Sequence, residues 1–115
     1  MKKVEFITLE KYGDKVVRTI DKKYILLSYY LIDRKSMDFL QETIGELESI
    51  RKEEKTFEEI YTFNTVDISW SAGEFECDKD TAYFISNHPD KEPSFDIPLQ
   101  ELIDILKEWE AFLSN

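Results

Sequence analysis

Glu74, Glu76, Asp78 and Asp80 place a carboxylate at every second position of one short stretch. Carboxylates so spaced can do three kinds of chemistry. They can ligate a hard cation such as calcium or magnesium, which takes several oxygens at close range. They can serve as the acid and base of a hydrolase, which needs two carboxyls roughly 5–10 Å apart in a cleft. Or they can hold a surface negative for a basic partner. Neither the glycine nor the loop spacing of an EF-hand accompanies them, and an exposed strand supplies the separation of a hydrolase pair without its cleft. The single cysteine and single histidine cannot build a zinc site. Cys77 falls on the apolar side of its stretch between carboxylates, surroundings that raise a thiol pKa, so a nucleophilic pair with His88 is not expected. No GxGxxG, P-loop or GxSxG pattern occurs. The expectation is a protein that is not an enzyme, with no cofactor and no metal. Its acidic stretch is then either a solvated surface or a face for another protein.

The element that must position these carboxylates runs from Val66 to Asp80. Val66, Ile68 and Trp70 alternate with Asp67, Ser69 and Ser71; Ser71-Ala72-Gly73 supplies a turn; Phe75 and Cys77 then alternate with the acidic residues. Strand side chains point to opposite faces with period two, so the stretch reads as a hairpin with one apolar and one acidic face. Carboxylates at i and i+2 stand about 7 Å apart and repel one another. Aromatic residues beside charge are the usual composition of an interface hot spot. The candidate partner-binding residues are therefore Asp67, Glu74, Glu76, Asp78 and Asp80, with Tyr61 and Tyr83 as aromatics nearby; Trp70 is equally suited to the core.

Before the hairpin, Lys3–Tyr12 and Lys15–Ile20 read as two strands about a Gly13-Asp14 turn. Tyr24–Ile32 is apolar on both sides, which suits a covered central strand; a short buried helix is the competing reading, since periodicity does not separate the two at this length. Met37, Leu40, Ile44, Leu47 and Ile50 follow steps of three and four and predict a helix over Ser36–Lys55. On its wet side Glu48 and Lys52 form an i,i+4 pair, and Gly45 suggests close packing against a sheet. Phe57–Phe63 reads as a strand, Thr81–Ser86 as a central strand and Asn87–Ser94 as a loop. Pro98 opens a second helix with a stripe of Leu99, Leu102, Ile103, Leu106, Trp109 and Leu113. The order predicts an α+β fold in one domain over 1–115: an antiparallel β-sheet of about five to seven strands with two amphipathic helices packed on one face.

Composition narrows the partners. Residues 1–35 hold nine Lys/Arg against five Asp/Glu and the remainder six against twenty, for a net charge of −10. A field of that sign disfavours direct contact with nucleic acid and anionic membranes and speeds encounter with basic proteins. No apolar h-region follows the first lysines, and the longest apolar run, Tyr24–Ile32, is about half of what a bilayer crossing needs. A lone cysteine on a core face fits a reducing compartment, so a cytoplasmic location is expected.

The C-terminal segment Ile97-Pro98-Leu99-Gln100-Glu101-Leu102-Ile103-Asp104-Ile105-Leu106-Lys107-Glu108-Trp109, closing on Phe112-Leu113, resembles the final helix of small acidic bacterial immunity proteins, the antidotes to polymorphic and contact-dependent growth-inhibition toxins. The resemblance implies an antitoxin that binds one cognate toxin domain, commonly a nuclease, and blocks its basic surface with carboxylates in place of phosphates. It carries over no functional residue. A small acidic adaptor or regulator and, further off, a metal-dependent hydrolase are the rival expectations.

Overall fold

The computed structural model describes residues 2–63 and 73–115. Strands β1 (Val4–Thr8) and β2 (Lys15–Thr19) form an antiparallel pair in which Phe6 faces Val17. Gly13 takes a left-handed φ of 68° in the connecting loop, where its N–H donates to the Leu9 carbonyl at 2.8 Å. A 3-10 turn over Lys22–Tyr24 leads into helices α1 (Ile25–Ile32), α2 (Met37–Arg51) and α3 (Phe57–Phe63). Strands β3 (Gly73–Cys77), β4 (Thr81–Ser86) and β5 (Phe95–Pro98) then make an antiparallel sheet in that order, and helix α4 (Leu99–Leu113) follows β5 directly. The fold is α+β with antiparallel sheets. The described residues form two sheets, of two and three strands, and four helices, so the single sheet of five to seven strands with two helices does not form.

The expected central strand at Tyr24–Ile32 is helix α1. The stretch is Leu-rich rather than β-branched, and Asp21 starts the preceding turn by accepting from the Lys23 N–H. Burial of Leu26, Leu27, Ser28, Tyr30 and Leu31 accounts for its apolar character all round. The expected strand at Phe57–Phe63 is helix α3. Thr56 Oγ1 accepts from the Glu59 N–H and Glu59 Oε1 accepts from the Thr56 N–H, both at 3.2 Å, a reciprocal capping box that commits the segment to helix. Strand β5 was not anticipated. The first arm of the expected hairpin, with Asn64 and Thr65 before it, lies outside the described residues.

Helix α1 sits between the sheets, with Thr19 and Ser28 joined through their hydroxyls at 2.6 Å. On its other side Tyr30 stacks on Phe75 (5.2 Å between ring centres) and meets Phe84 edge-on (5.3 Å), and Phe84 stacks on Phe95 (4.8 Å). Tyr29 donates to Glu92, which pushes its hydroxyl pKa up. Helix α4 buries Leu99, Leu102, Ile103, Leu106 and Trp109, the stripe expected of it except for Leu113, which is half-buried, and Lys15 caps its C-terminus by donating to the carbonyls of Phe112 (2.9 Å) and Leu113 (3.2 Å). Glu48 pairs with Lys107 at 2.7 Å, tying α2 to α4; Lys107, foremost, holds the Glu48 carboxyl below the usual glutamate range, and the expected partner Lys52 adds a smaller share.

Arg34, between Asp33 and Lys35, is fully buried. Its guanidinium lies 3.6 Å from the Tyr30 ring centre and 4.8 Å from that of Phe39, and it donates to Thr43 Oγ1 and the Tyr30 carbonyl, each at 3.2 Å. Desolvated stacking of this kind contributes on the order of 2 kcal/mol and needs the planar group of arginine.

Gly45 does not mark close packing. It is exposed, and an added Cβ would meet nothing within 4 Å among the described residues. Gly45→Ala should therefore stabilise the protein by about 1 kcal/mol, read as a higher urea midpoint at an unchanged slope. Helix α2 ends in a Schellman arrangement, with Glu54 N–H bonded to the Ser49 carbonyl and Glu53 at a left-handed φ of 63°.

Candidate protein-binding face

The three-stranded sheet sorts its residues cleanly. Phe75, Cys77, Ala82, Phe84, Phe95 and Ile97 point into the core, while Glu74, Glu76, Tyr83, Ile85 and Asp96 alternate with them on the outer face and are exposed. The register fixes their neighbours. Tyr83 on β4 stands opposite Glu76 on β3 and Asp96 on β5, and Ile85 stands opposite Glu74. A row Glu76–Tyr83–Asp96 thus crosses the whole sheet, with Ile85 and Glu74 in the next row but one. Directly opposed strand residues have Cβ atoms about 4.5–5.5 Å apart, so the tyrosine ring is flanked by carboxylates. None of the three strands contains a lysine or arginine. Thr81–Ser86 is central in this sheet, as its sequence predicts, with one face buried and the other exposed among the described residues.

The acidic stretch is shorter as a strand than expected, because β3 ends at Cys77. Asp78 and Asp80 belong to the turn. Asp78 Oδ1 accepts from the main-chain N–H groups of Asp80 and Thr81, both at 2.8 Å, and these bonds hold its carboxyl below the usual aspartate range. The Asp80 carbonyl accepts from Leu99 N–H at 2.9 Å, fixing the turn to the start of α4. Lys79 is paired with Glu53 at 3.3 Å. Of the residues singled out from sequence, Glu74, Glu76 and Tyr83 share one face, Asp78 and Asp80 form the adjoining turn, Asp67 and Trp70 lie outside the described residues, and Tyr61 belongs to α3 with its side chain outside them. Ile85 and Asp96 were missed: the outer side of an all-apolar run is invisible until the sheet is known, and β5 was not recognised.

Asp78 is thus a structural carboxylate, and its contribution should depend on pH. Its folded pKa is depressed, so the stability it adds is present above the ordinary aspartate pKa of about 3.9 and is lost as pH falls through the folded value. Asp78→Ala should lower the melting temperature near neutrality, and the gap to the unaltered protein should narrow progressively below about pH 4. A gap independent of pH would mean that the carboxylate does not hold the turn.

The remaining chemistry-bearing groups do not converge. Cys77 is buried, and that burial, with Asp78 and Glu58 adding, pushes its thiol up to about 12, where it is a poor nucleophile. His88 is exposed in the β4–β5 loop. Among the described residues no group of three or more His, Cys, Asp or Glu side chains is disposed to hold a metal ion. No helix among them is long and apolar enough to cross a membrane. Compared with protein-family models, curated proteins and solved structures, the chain matches none.

Proposed function

We propose that the chain is a non-catalytic inhibitor that presents the outer face of β3–β4–β5 to a basic partner, and that this partner is a cognate toxin domain, a nuclease in particular. The observation that carries the reading is Tyr83 set in register between Glu76 and Asp96 on a sheet face whose strands carry no cation. An aromatic anchor ringed by carboxylates matches the composition of hot spots in interfaces with basic surfaces. Exposed Ile85 extends the apolar part of the patch. The overall charge of −10 steers the encounter, and carboxylates placed where phosphates would bind are a direct way to block a nuclease groove.

The test is growth rescue. The C-terminal domain of the reading frame directly upstream is expressed in bacterial cells with and without this protein. The reading expects toxicity that co-expression relieves. A neighbour that is harmless, or whose toxicity persists, removes the toxin partner; the outer face would then belong to an acidic adaptor, whose partner a low-salt pull-down identifies.

A further inference from the structure

A groove of about 460 Å³ runs between β1 and α4, on elements that contribute nothing to the outer sheet face. One wall is the stripe Glu101, Ile105, Glu108 and Phe112 of α4, and the other is the five consecutive residues Lys2–Phe6. Consecutive strand side chains point to opposite faces, so a groove touched by all five borders the strand's edge rather than one of its faces. Among the described residues nothing pairs with that edge. Ile20 N–H donates to the Lys3 carbonyl and Leu9 N–H to the Asp14 carbonyl, which makes Lys3 and Leu9 hydrogen-bonded positions of the ladder. Hydrogen-bonded and non-bonded pairs alternate in an antiparallel ladder, so the N–H and C=O of Val4 and Phe6 point away from β2. β1 has no strand neighbour but β2 among the described residues, and Val4 is only 7% exposed. These outward main-chain groups lie beside the groove, where an occupant with a main chain can bond to them.

We propose that this groove takes an extended peptide segment of a partner protein, added as a third strand to the free edge of β1 and running antiparallel to it. The main-chain wall requires an occupant with a main chain of its own, which is the requirement of strand addition. Phe6, Ile105 and Phe112 form an apolar lining for alternate side chains. The charges set which end of the segment is basic. Glu5 is paired with Arg18 and Glu101 with Lys3 at 2.6 Å, leaving Glu108 without a cation and Lys2 without a carboxylate among the described residues. Lys2 lies toward the Glu101 end, and Glu108 about two helical turns further on. A segment paired antiparallel to β1, the more stable arrangement, therefore begins with the basic residue over Glu108 and ends with the acidic one at Lys2, whereas the reversed sequence meets both charges only in the less stable parallel arrangement. Five extended residues span about 13 Å between their first and last Cα atoms, the length of Lys2–Phe6.

The probe is acetyl-Lys-Val-Ile-Val-Glu-amide, titrated into the 15N-labelled full chain and followed at the amides of Val4 and Phe6. Saturable shifts at both are expected, with binding at least about fivefold tighter than for the reversed sequence acetyl-Glu-Val-Ile-Val-Lys-amide. Only alternate residues of an added strand donate to the edge, so N-methylation of one alternate set should weaken binding about tenfold and of the other set hardly at all. Ile105→Arg and Glu108→Lys, each confirmed as folded by its melting temperature, should abolish or weaken binding, whereas Tyr83→Ala should leave it unchanged. No saturable binding, equal sensitivity to both methylation patterns, or indifference to Glu108→Lys would each overturn the proposal. None of these outcomes bears on the outer face of the three-stranded sheet.

Discussion

Trp109→Ala is expected to cost about 3–5 kcal/mol, a large part of the 5–15 kcal/mol that holds a domain of this size together. Trp109 is fully buried in α4, and its ring centre lies 5.0 Å from Phe6 on β1 and 6.0 Å from Phe112. Its Nε1–H donates to the Leu31 carbonyl at 2.9 Å, beside the Arg34 N–H at 3.0 Å, which ties α4 to the end of α1. One side chain therefore joins the two-stranded sheet, α1 and α4. Truncation opens a cavity and removes one donor from the Leu31 carbonyl, which keeps the Arg34 N–H at 3.0 Å. Trp109→Phe separates these contributions, keeping most of the apolar volume and losing the donor, for about 1–2 kcal/mol. Urea unfolding measures both. A cost under about 1 kcal/mol for the alanine variant would mean that the helix–sheet junction is held elsewhere.

Which elements could be read from sequence follows from how each one is stabilised. Helices α2 and α4 lie half in water, so burial writes a three-and-four pattern into them, and the stripe from Leu99 to Trp109 is buried as that pattern requires. Helix α1 is surrounded by protein, which erases the pattern; only its leucines argue against a strand. Helix α3 is too short for periodicity, yet Thr56-Phe57-Glu58-Glu59 is a capping-box sequence, a local signal stronger than the β-propensity of Phe57, Ile60 and Phe63. The division into two sheets has no local signature, because it depends on α1 inserting between β2 and β4. The candidate face was legible as far as alternation extends: Glu74 and Glu76 stand where period two puts them, whereas Asp78 and Asp80 continue the spacing but fall in a turn. Arg34 gives no sign in sequence of its burial, since nothing local distinguishes an arginine that stacks on Tyr30 from one in water.

Tyr83→Ala should weaken partner binding by at least about 2 kcal/mol, roughly 30-fold in Kd, while lowering the melting temperature far less than Trp109→Ala does. Two facts separate these effects. Tyr83 is 37% exposed on the outer face of the central strand, so its truncation removes a hydroxyl bonded to Asp78 but nothing from the core, which the same strand fills with Ala82 and Phe84. Across the interface the ring would be fully desolvated, and truncation there forfeits the burial of the whole side chain. Ile85→Ala removes less apolar area and should cost about 1 kcal/mol of binding. Glu76→Lys acts on a different step. It leaves the ring in place and reverses a charge beside it, so it should lower the association rate and weaken that rate's dependence on ionic strength more than it raises the dissociation rate. The pattern distinguishes an anchored interface from a merely electrostatic one: in the latter Glu76→Lys and Glu74→Lys would reduce affinity and Tyr83→Ala would not. If all three variants kept full affinity, the partner would have to engage another surface, and the acidic outer face would be what an exposed strand of alternating glutamates is in most proteins, a solvated one.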